Sequence, residues 1–404
     1  MKDLKIFTEN IEQEAIEQID LLLEQEPFKE CKVRIMPDVH AGKGCVIGFT
    51  ADLGDKVIPN IVGVDIGCGM FCVELGKIDI DLEKIDKIVN ENIPSGRNIR
   101  EQKLTDFNEI KELYCLRELK ESNKFERAIG TLGGGNHFIE LDVDDENNKY
   151  LVIHTGSRNM GKQVADYYQN LAIELCSGKE EKFKRKEEII KTYKEQGKKQ
   201  EIQKALKELE KEYKNNKPDL PDELCYLEGK YREMYLHDME ICQKYASTNR
   251  WFIAEEILNN YFNDKLAMIN DIKGGFETIH NYINFEDNIV RKGAIRANKD
   301  ETVIIPINMR DGSIIAVGKG NEDWNNSAPH GAGRIMSRNK AKETFSLNEF
   351  KESMQGIYST SIVEETIDEA PFVYKPMEEI IKNIQDTVEI KKIIKPIYNF
   401  KAKN

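Results

Sequence analysis

Short apolar runs broken by clusters of Gly, Pro, Asn and Asp set the limits on this chain's architecture. Residues 57–61 and 70–75 are two such runs, and their composition and punctuation read as strands joined by tight turns. A glycine-rich turn leading into an apolar strand follows over 130–140, another strand over 150–154, and strands and turns again over 289–317. Charged, helix-like stretches lie between them at 78–127 and 223–260, and the tail at 376–394 also reads as helix. Strands and helices therefore mix without a regular alternation. The length of 404 residues leaves one large core or two smaller ones open. No internal repeat is present. Neither a G-x-G-x-x-G nor a P-loop pattern occurs, so a nucleotide would not be held by those cradles.

Lys and Glu dominate residues 179–217, where Ile202, Leu206, Leu209 and Tyr213 recur at helical spacing and Gly197 offers a break. This predicts an inserted helical hairpin over 178–222, closed by Pro218 and Pro221. Because Glu is interleaved with Lys, a solvated pair of helices is favoured over a basic arm for RNA.

Hydrophobic residues make up 40% and charged residues 32% of the chain, and no apolar run reaches the roughly 20 residues of a membrane span. Residues 1–10 lack the basic and then apolar blocks of a secretory signal, so a cytoplasmic location is the expectation. The eight cysteines are scattered, with neither a small disulfide framework nor paired zinc knuckles, and reduced thiols are expected. A net charge of -13 disfavours nonspecific binding to polyanions, so any nucleic-acid site must be a local basic patch or use bound cations.

Chemistry concentrates in the histidines. Of six, His40, His137, His154, His280 and His330 read as lying in glycine- or polar-rich turns beside apolar strands, whereas His237 falls in a charged helical stretch. Asp65-Ile66-Gly67-Cys68-Gly69 puts a carboxylate and a thiol three residues apart in a tight turn, where both could face one metal. A thiolate can also bridge two cations, with imidazoles from distant turns completing the shell. Taken alone, that pair reads rather as a buried cysteine beside a turn aspartate. Gly133-Gly134-Gly135-Asn136-His137-Phe138 lets backbone amides approach an anion, and His154-Thr155-Gly156-Ser157-Arg158 pairs a possible ligand with a phosphate-matching guanidinium. In Ala328-Pro329-His330-Gly331-Ala332-Gly333-Arg334 the histidine is flanked by small residues and sterically open, as a phosphorus-attacking nucleophile must be.

Together these segments resemble the RtcB family of RNA-splicing ligases. Pro37-Asp38-Val39-His40, the Asp65 to Met70 and Gly135 to Glu140 motifs, His154 to Arg158, His280-Asn281-Tyr282, Arg291-Lys292-Gly293-Ala294 and His330 to Arg334 with Met336-Ser337-Arg338 occur in the family's order. They span nearly the whole chain apart from the helical insertion. The resemblance implies a single α+β domain of mixed sheets flanked by helices, extending over 1–404. It implies two manganese ions sharing Cys68, one also held by Asp65 and His137, the other by His154 and His280. His330 would carry GMP taken from GTP. Asn136, Phe138, Glu140, Asn308, Gly331 and Gly333 match positions around the guanosine nucleotide, Lys401 in the closing Phe-Lys-Ala matches the family's terminal guanine-contacting lysine, and Arg158, Lys292 and Arg334 match basic positions needed for catalysis. Asp38 and His40 match a motif at the site to which no role is assigned. The implied substrates are RNA ends, a 3′-phosphate or 2′,3′-cyclic phosphate and a 5′-hydroxyl, as in RNA repair or tRNA splicing.

One segment departs from the family pattern. Where the family has Ile-Pro-Gly-Ser-Met-Gly, this chain reads Ile305-Pro306-Ile307-Asn308-Met309-Arg310-Asp311-Gly312, and Pro329 stands where serine is common. A different backbone path beside the nucleotide is expected there. Two other activities fit parts of the pattern: a metal-dependent cyclic phosphodiesterase that does not ligate, and a noncatalytic RNA-binding protein.

Overall fold

The computed structural model describes residues 3–196, 198–213, 217–262 and 274–402, and it has an α+β architecture built on two principal sheets. The five-stranded sheet runs, in spatial order, Asp3–Ile6, Lys32–His40, Ile47–Asp52, Ile289–Lys292 and Asn281–Asn284. Its first pair is parallel and the remaining pairs are antiparallel. The seven-stranded sheet runs Thr302–Asn308, Gly312–Gly318, Val388–Lys401, Phe138–Val143, Lys149–Thr155, Gly69–Gly76 and Phe276–Ile279, antiparallel throughout.

The helix Gly229–Phe262 joins the two halves of the core. At 34 residues it is about 50 Å long, at ~1.5 Å per residue. Tyr235, Met239 and Cys242 of its first half pack with Val33, Ile35 and Phe49 and with Met160 and Val164 of the helix Arg158–Cys176. Ile253 and Ile257 of its second half pack with Val73, Leu141 and Ile153 of the larger sheet and with Ile85 and Val89 of the helix Leu82–Asn92. A helix buried on several faces along its length serves as a central strut rather than a surface element.

Several sequence expectations are corrected. The strand expected over 57–61 is only Lys56–Val57, because Pro59, set for a first helical turn, starts the helix Pro59–Val62. Beyond Asn92, the stretch up to 127 is mostly short 3-10 turns. The expected long helix of 223–260 begins at Gly229, after Leu227–Glu228 has paired with Lys56–Val57. The tail holds one short helix, Met377–Asn383, and then the strand Val388–Lys401. That strand lies inside the large sheet although it contains Pro396. The missing N–H is accommodated where the register shifts between Pro396 and Tyr398. The hairpin is present as Lys179–Glu195 and Ile202–Tyr213, and its expected break at Gly197 lies outside the described residues.

Candidate active site

Four neighbouring strands of the large sheet end on one row, and each carries a metal-type ligand there. His154 lies on Lys149–Thr155, directly opposite Met70 and Phe138, so Cys68 and His137, which precede the partner strands, fall beside it. His280 follows the strand Phe276–Ile279, and its N–H donates to the Cys68 carbonyl at 3.0 Å. His154 and His40 therefore sit on strands rather than in the turns expected of them. Asp65 completes the set through a turn closed by the Cys68 N–H on the Asp65 carbonyl, 3.1 Å.

The side chains converge as two triads sharing one sulfur. Cys68 Sγ is 3.5 Å from His137 Nε2 and 3.3 Å from His154 Nε2. His154 Nε2 and His280 Nε2 are 3.3 Å apart, and His137 Nε2 is 2.9 Å from Asp65 Oδ2. Asp65, Cys68 and His137 thus form one group of three, and Cys68, His154 and His280 another.

The chemistry of these donors fits two cations. His137 and His154 each direct Nδ1 at a backbone carbonyl, Leu132 at 3.0 Å and Asn136 at 3.2 Å, which leaves the Nε2 lone pairs facing the sulfur. This is the orientation of metal-binding imidazoles, whose outer nitrogen is held by a carbonyl or carboxylate. Burial, and then the neighbouring imidazoles, push the imidazolium forms of His154 and His280 well below their usual range. Burial, and then the Asp65 carboxylate, push the Cys68 thiol well above its own range, so a thiolate there calls for adjacent positive charge. Burial would raise the Asp65 carboxyl, but the hydrogen bond and charge of His137 outweigh it and lower it.

Two residues invisible as site residues in the sequence brace this centre from the long helix. Arg250, fully buried, donates Nη1 to the carbonyls of Gly67 and Thr155, both at 2.8 Å, and Nε to Glu277 at 3.0 Å. Asn249 accepts the N–H groups of Gly130 and Thr131 at 2.8 and 3.0 Å and donates to the carbonyls of Thr131 and Gly156 at 3.1 and 3.2 Å. The only sequence signal was an Asn-Arg pair placed directly before the apolar run Trp251-Phe252-Ile253-Ala254. Gly156 is required for close approach, since a Cβ there would lie 2.2 Å from Asp65 Oδ1.

His330 follows the strand Ser327–Pro329, which pairs with Ala294–Arg296, and its ring centroid is 4.9 Å from that of His280. Asp38, fully buried, holds it. The carboxylate Oδ2 lies 2.6 Å from His330 Nδ1 and accepts the His330 backbone N–H at 3.1 Å. With Nδ1 so engaged, Nε2 carries the available lone pair. His40 Nδ1 in turn donates to the Asp38 carbonyl at 2.9 Å, and burial pushes the His40 imidazolium down. Gly333 lets this loop close on its partner, because a Cβ there would meet the Asp38 carbonyl oxygen at 2.3 Å and φ is +75°.

A cavity of about 300 Å³ opens beside His330 and the second triad. Asn136, Phe138, Glu140, Asn308, His330, Gly331, Gly333, Arg334 and Lys401 all line it, so every residue nominated for the nucleotide shares one wall system. Asn308 is there with its side chain already committed: its Oδ1 accepts the N–H groups of Arg310 and Asp311, and its Nδ2 donates to Asp311 Oδ2 at 2.8 Å. Ile307-Asn308 thus builds a tight hairpin turn in place of the family's glycine-serine pair.

The other nominated basic residues lie elsewhere. Arg158 lines a second cavity, of about 670 Å³, together with Asp65, His137, Arg97, Lys124 and Lys162. Its φ of +57° is unusual for arginine, and its Nε and Nη2 are held by Thr131 Oγ1 and the Gly96 carbonyl at 3.0 and 2.8 Å. Lys292 lines neither cavity. Its Nζ, 4% exposed, donates to the carbonyls of Lys43 and Asn60 at 2.9 and 3.1 Å and ties the 41–46 loop to the helix Pro59–Val62.

The sequence profile described as tRNA-splicing ligase RtcB matches residues 23–117 and 115–402. Among curated proteins, the chain is 29% identical to the RNA-splicing ligase RtcB of Escherichia coli (strain K12), an alignment covering 96% of this chain and 94% of that protein. It is 28% identical to the tRNA-splicing ligase RtcB of Nanoarchaeum equitans, over 89% of this chain and 85% of the relative. For the tRNA-splicing ligase RtcB of Archaeoglobus fulgidus the identity is 26%, over 92% and 87%.

Proposed function

The chain belongs to the tRNA-splicing ligase RtcB family, and from that premise we propose that it is an RNA ligase that joins a 3′-phosphate or 2′,3′-cyclic phosphate end to a 5′-hydroxyl end at the expense of GTP. The observation that carries the reading is the contact between the buried Asp38 carboxylate and His330 Nδ1, which presents a cavity-lining imidazole beside the shared-sulfur cluster.

In this reading His330 Nε2 attacks the α-phosphorus of GTP. A P–N bond forms and the P–O bond to pyrophosphate breaks. Attack by a neutral imidazole leaves positive charge on the ring, and the Asp38 carboxylate compensates that charge by accepting the hydrogen bond from Nδ1–H, whose proton stays on the ring. A 2′,3′-cyclic end is first opened by water, which breaks the P–O2′ bond and leaves a 3′-phosphate; an oxygen of the RNA 3′-phosphate then displaces the histidine from the GMP phosphorus. Finally the 5′-hydroxyl attacks the activated 3′-phosphate, a phosphodiester forms and GMP leaves. Asp65, Cys68 and His137 would hold one manganese ion and Cys68, His154 and His280 a second, and such ions neutralise charge on the phosphates. Arg334 contributes positive charge from the nucleotide cavity and Arg158 from the second cavity. Lys292 acts indirectly, through the loop it ties down.

The test is mass spectrometry of the purified protein after incubation with labelled GTP and manganese. A GMP adduct on the wild type that is missing from His330→Ala is expected. A wild type that stays unmodified, while still opening cyclic phosphate ends, would replace this reading with a phosphodiesterase.

A further inference from the structure

Two cations in the nucleotide cavity, Lys401 and Arg334, are held by an acidic pair that no motif pointed to. Glu369 ends the 3-10 helix Glu364–Glu369 and is 3% exposed. Its Oε2 accepts from Lys401 Nζ at 2.7 Å and from the Tyr374 hydroxyl at 2.8 Å. Its Oε1 accepts from Arg338 and lies 3.6 Å from Arg334 Nη1. The preceding residue, Asp368, takes Arg334 Nη2 on its carbonyl at 2.7 Å and pairs through its side chain with Arg338 and Lys342.

Lys401 is 4% exposed, and apart from Glu369 its ammonium meets the Asn136 carbonyl at 3.3 Å and the face of the Phe138 ring, 5.4 Å from the centroid. A buried ammonium on a flexible stem needs a counter-charge, both to remain ionised and to keep one orientation. Arg334 and Lys401 bring like charge to one cavity, and the Glu369 carboxylate offsets their repulsion. Burial alone would raise the Glu369 carboxyl, but Lys401 and Arg338 outweigh it and hold it at about 2, so it is ionised at every working pH.

Lys401 can only donate hydrogen bonds, and Glu140, on the same cavity, accepts them when ionised. Guanine offers the matching pattern, an O6 acceptor beside N–H donors, whereas adenine carries an amino donor at position 6. We propose that Glu369 is the positioning residue for base selection: by pinning the Lys401 ammonium it makes the cavity prefer guanine over adenine. The assignment rests on the guanosine nucleotide reading above.

The test is calorimetric binding, with manganese, of the α,β-methylene analogues of GTP and ATP to the wild type, Glu369→Gln, Lys401→Met and the double variant. Glutamine keeps the shape and removes the charge. Glu369→Gln is expected to weaken the guanosine analogue about 30-fold or more, in line with truncated buried charge pairs, and the adenosine analogue by less than about threefold. In the Lys401→Met background the same change should have no further effect on discrimination. Equal weakening of both analogues would mark a structural role only. That result, an unchanged preference, or a wild type without any preference would each overturn the proposal. Should Glu369→Gln fail to fold, Glu369→Asp, which keeps the charge and shortens the reach, must lower discrimination, and an unaltered ratio overturns the idea. Base discrimination without a GMP adduct would remove the ligation chemistry and leave this assignment standing. Adduct formation with discrimination intact in Glu369→Gln would do the reverse.

Discussion

Asp38 lies 292 positions before His330 in the chain, yet its carboxylate orients that imidazole and would offset the charge formed on it. Asp38→Asn is therefore expected to slow formation of the GMP adduct by roughly 10²–10⁴-fold, as loss of an orienting carboxylate does elsewhere, with manganese content unchanged by elemental analysis. A loss below tenfold would remove Asp38 from the chemistry. Lys292 makes a different case, because its ammonium is spent on two carbonyls. Lys292→Met should cost on the order of 1–3 kcal/mol through the unsatisfied carbonyls and speed hydrogen exchange across residues 41–46. If activity vanishes while exchange there is unaltered, Lys292 acts on substrate directly. Glu140 gives a pH signature. Burial raises its carboxyl from the ordinary 4.5 to about 7, against the hydrogen bond from Asn399 and the charge of Lys401. A group raised on folding contributes stability that is complete below pH 4.5 and is lost as the pH climbs through about 7. Glu140→Gln cannot ionise, so its melting temperature relative to wild type should be higher at pH 8 than at pH 5, by the equivalent of roughly 1–3 kcal/mol. An identical gap at both pH values would rule this out.

At the level of elements, the convergence of the candidate metal ligands depends on register. Four adjacent strands end together, and pairing of Met70 and Phe138 with His154 brings Cys68 and His137 to the same row. A one-residue slip would turn His154 to the opposite face. Three of these strands were readable from their composition, as was the hairpin from its Lys/Glu bias, whereas Phe276–Ile279 was not read as a strand. The terminal strand was not: Pro376, the charged residues after it and Pro396 suggested a helix and its end, whereas pairing with two neighbouring strands overrode that local preference. The hairpin's two helices pack chiefly on each other and on the helix Arg158–Cys176, and neither supplies a residue to the cavity beside His330. Replacing residues 179–217 with a short Gly/Ser linker should thus leave adduct formation within about threefold of wild type, since such linkers cost little in closure entropy. A greater loss would show that the hairpin supports the site.

For the whole molecule, the net charge of -13 and a polyanionic substrate are reconciled locally. Arg334, Arg338 and Lys401 stand in one cavity, which His154 and His280 also line, and Arg97, Lys124, Arg158 and Lys162 stand in the other, which Asp65 and His137 line. Among the described residues no helix is long and apolar enough to cross a membrane. Cations bound to the native triads alone would stabilise the fold by mass action. Removing them with a chelator should lower the melting temperature by roughly 5–15 °C, and Cys68→Ala should show little further change. A melting temperature insensitive to chelation would argue against resident ions. The sequence by itself determined which residue types were available and where: histidines beside glycine-rich or small residues, the Asp65-Cys68 turn, the Asp38 motif and the order that marks the family. That information is local, carried by composition and spacing. Only the tertiary structure decided that Asp38 holds His330, that Glu369 holds Lys401, that Lys292 braces a loop and that Asn249 and Arg250 support the Cys/His row. Each of those contacts joins residues far apart in sequence, and its strength comes from burial, which excludes water and cannot be read until the chain has folded around the pair.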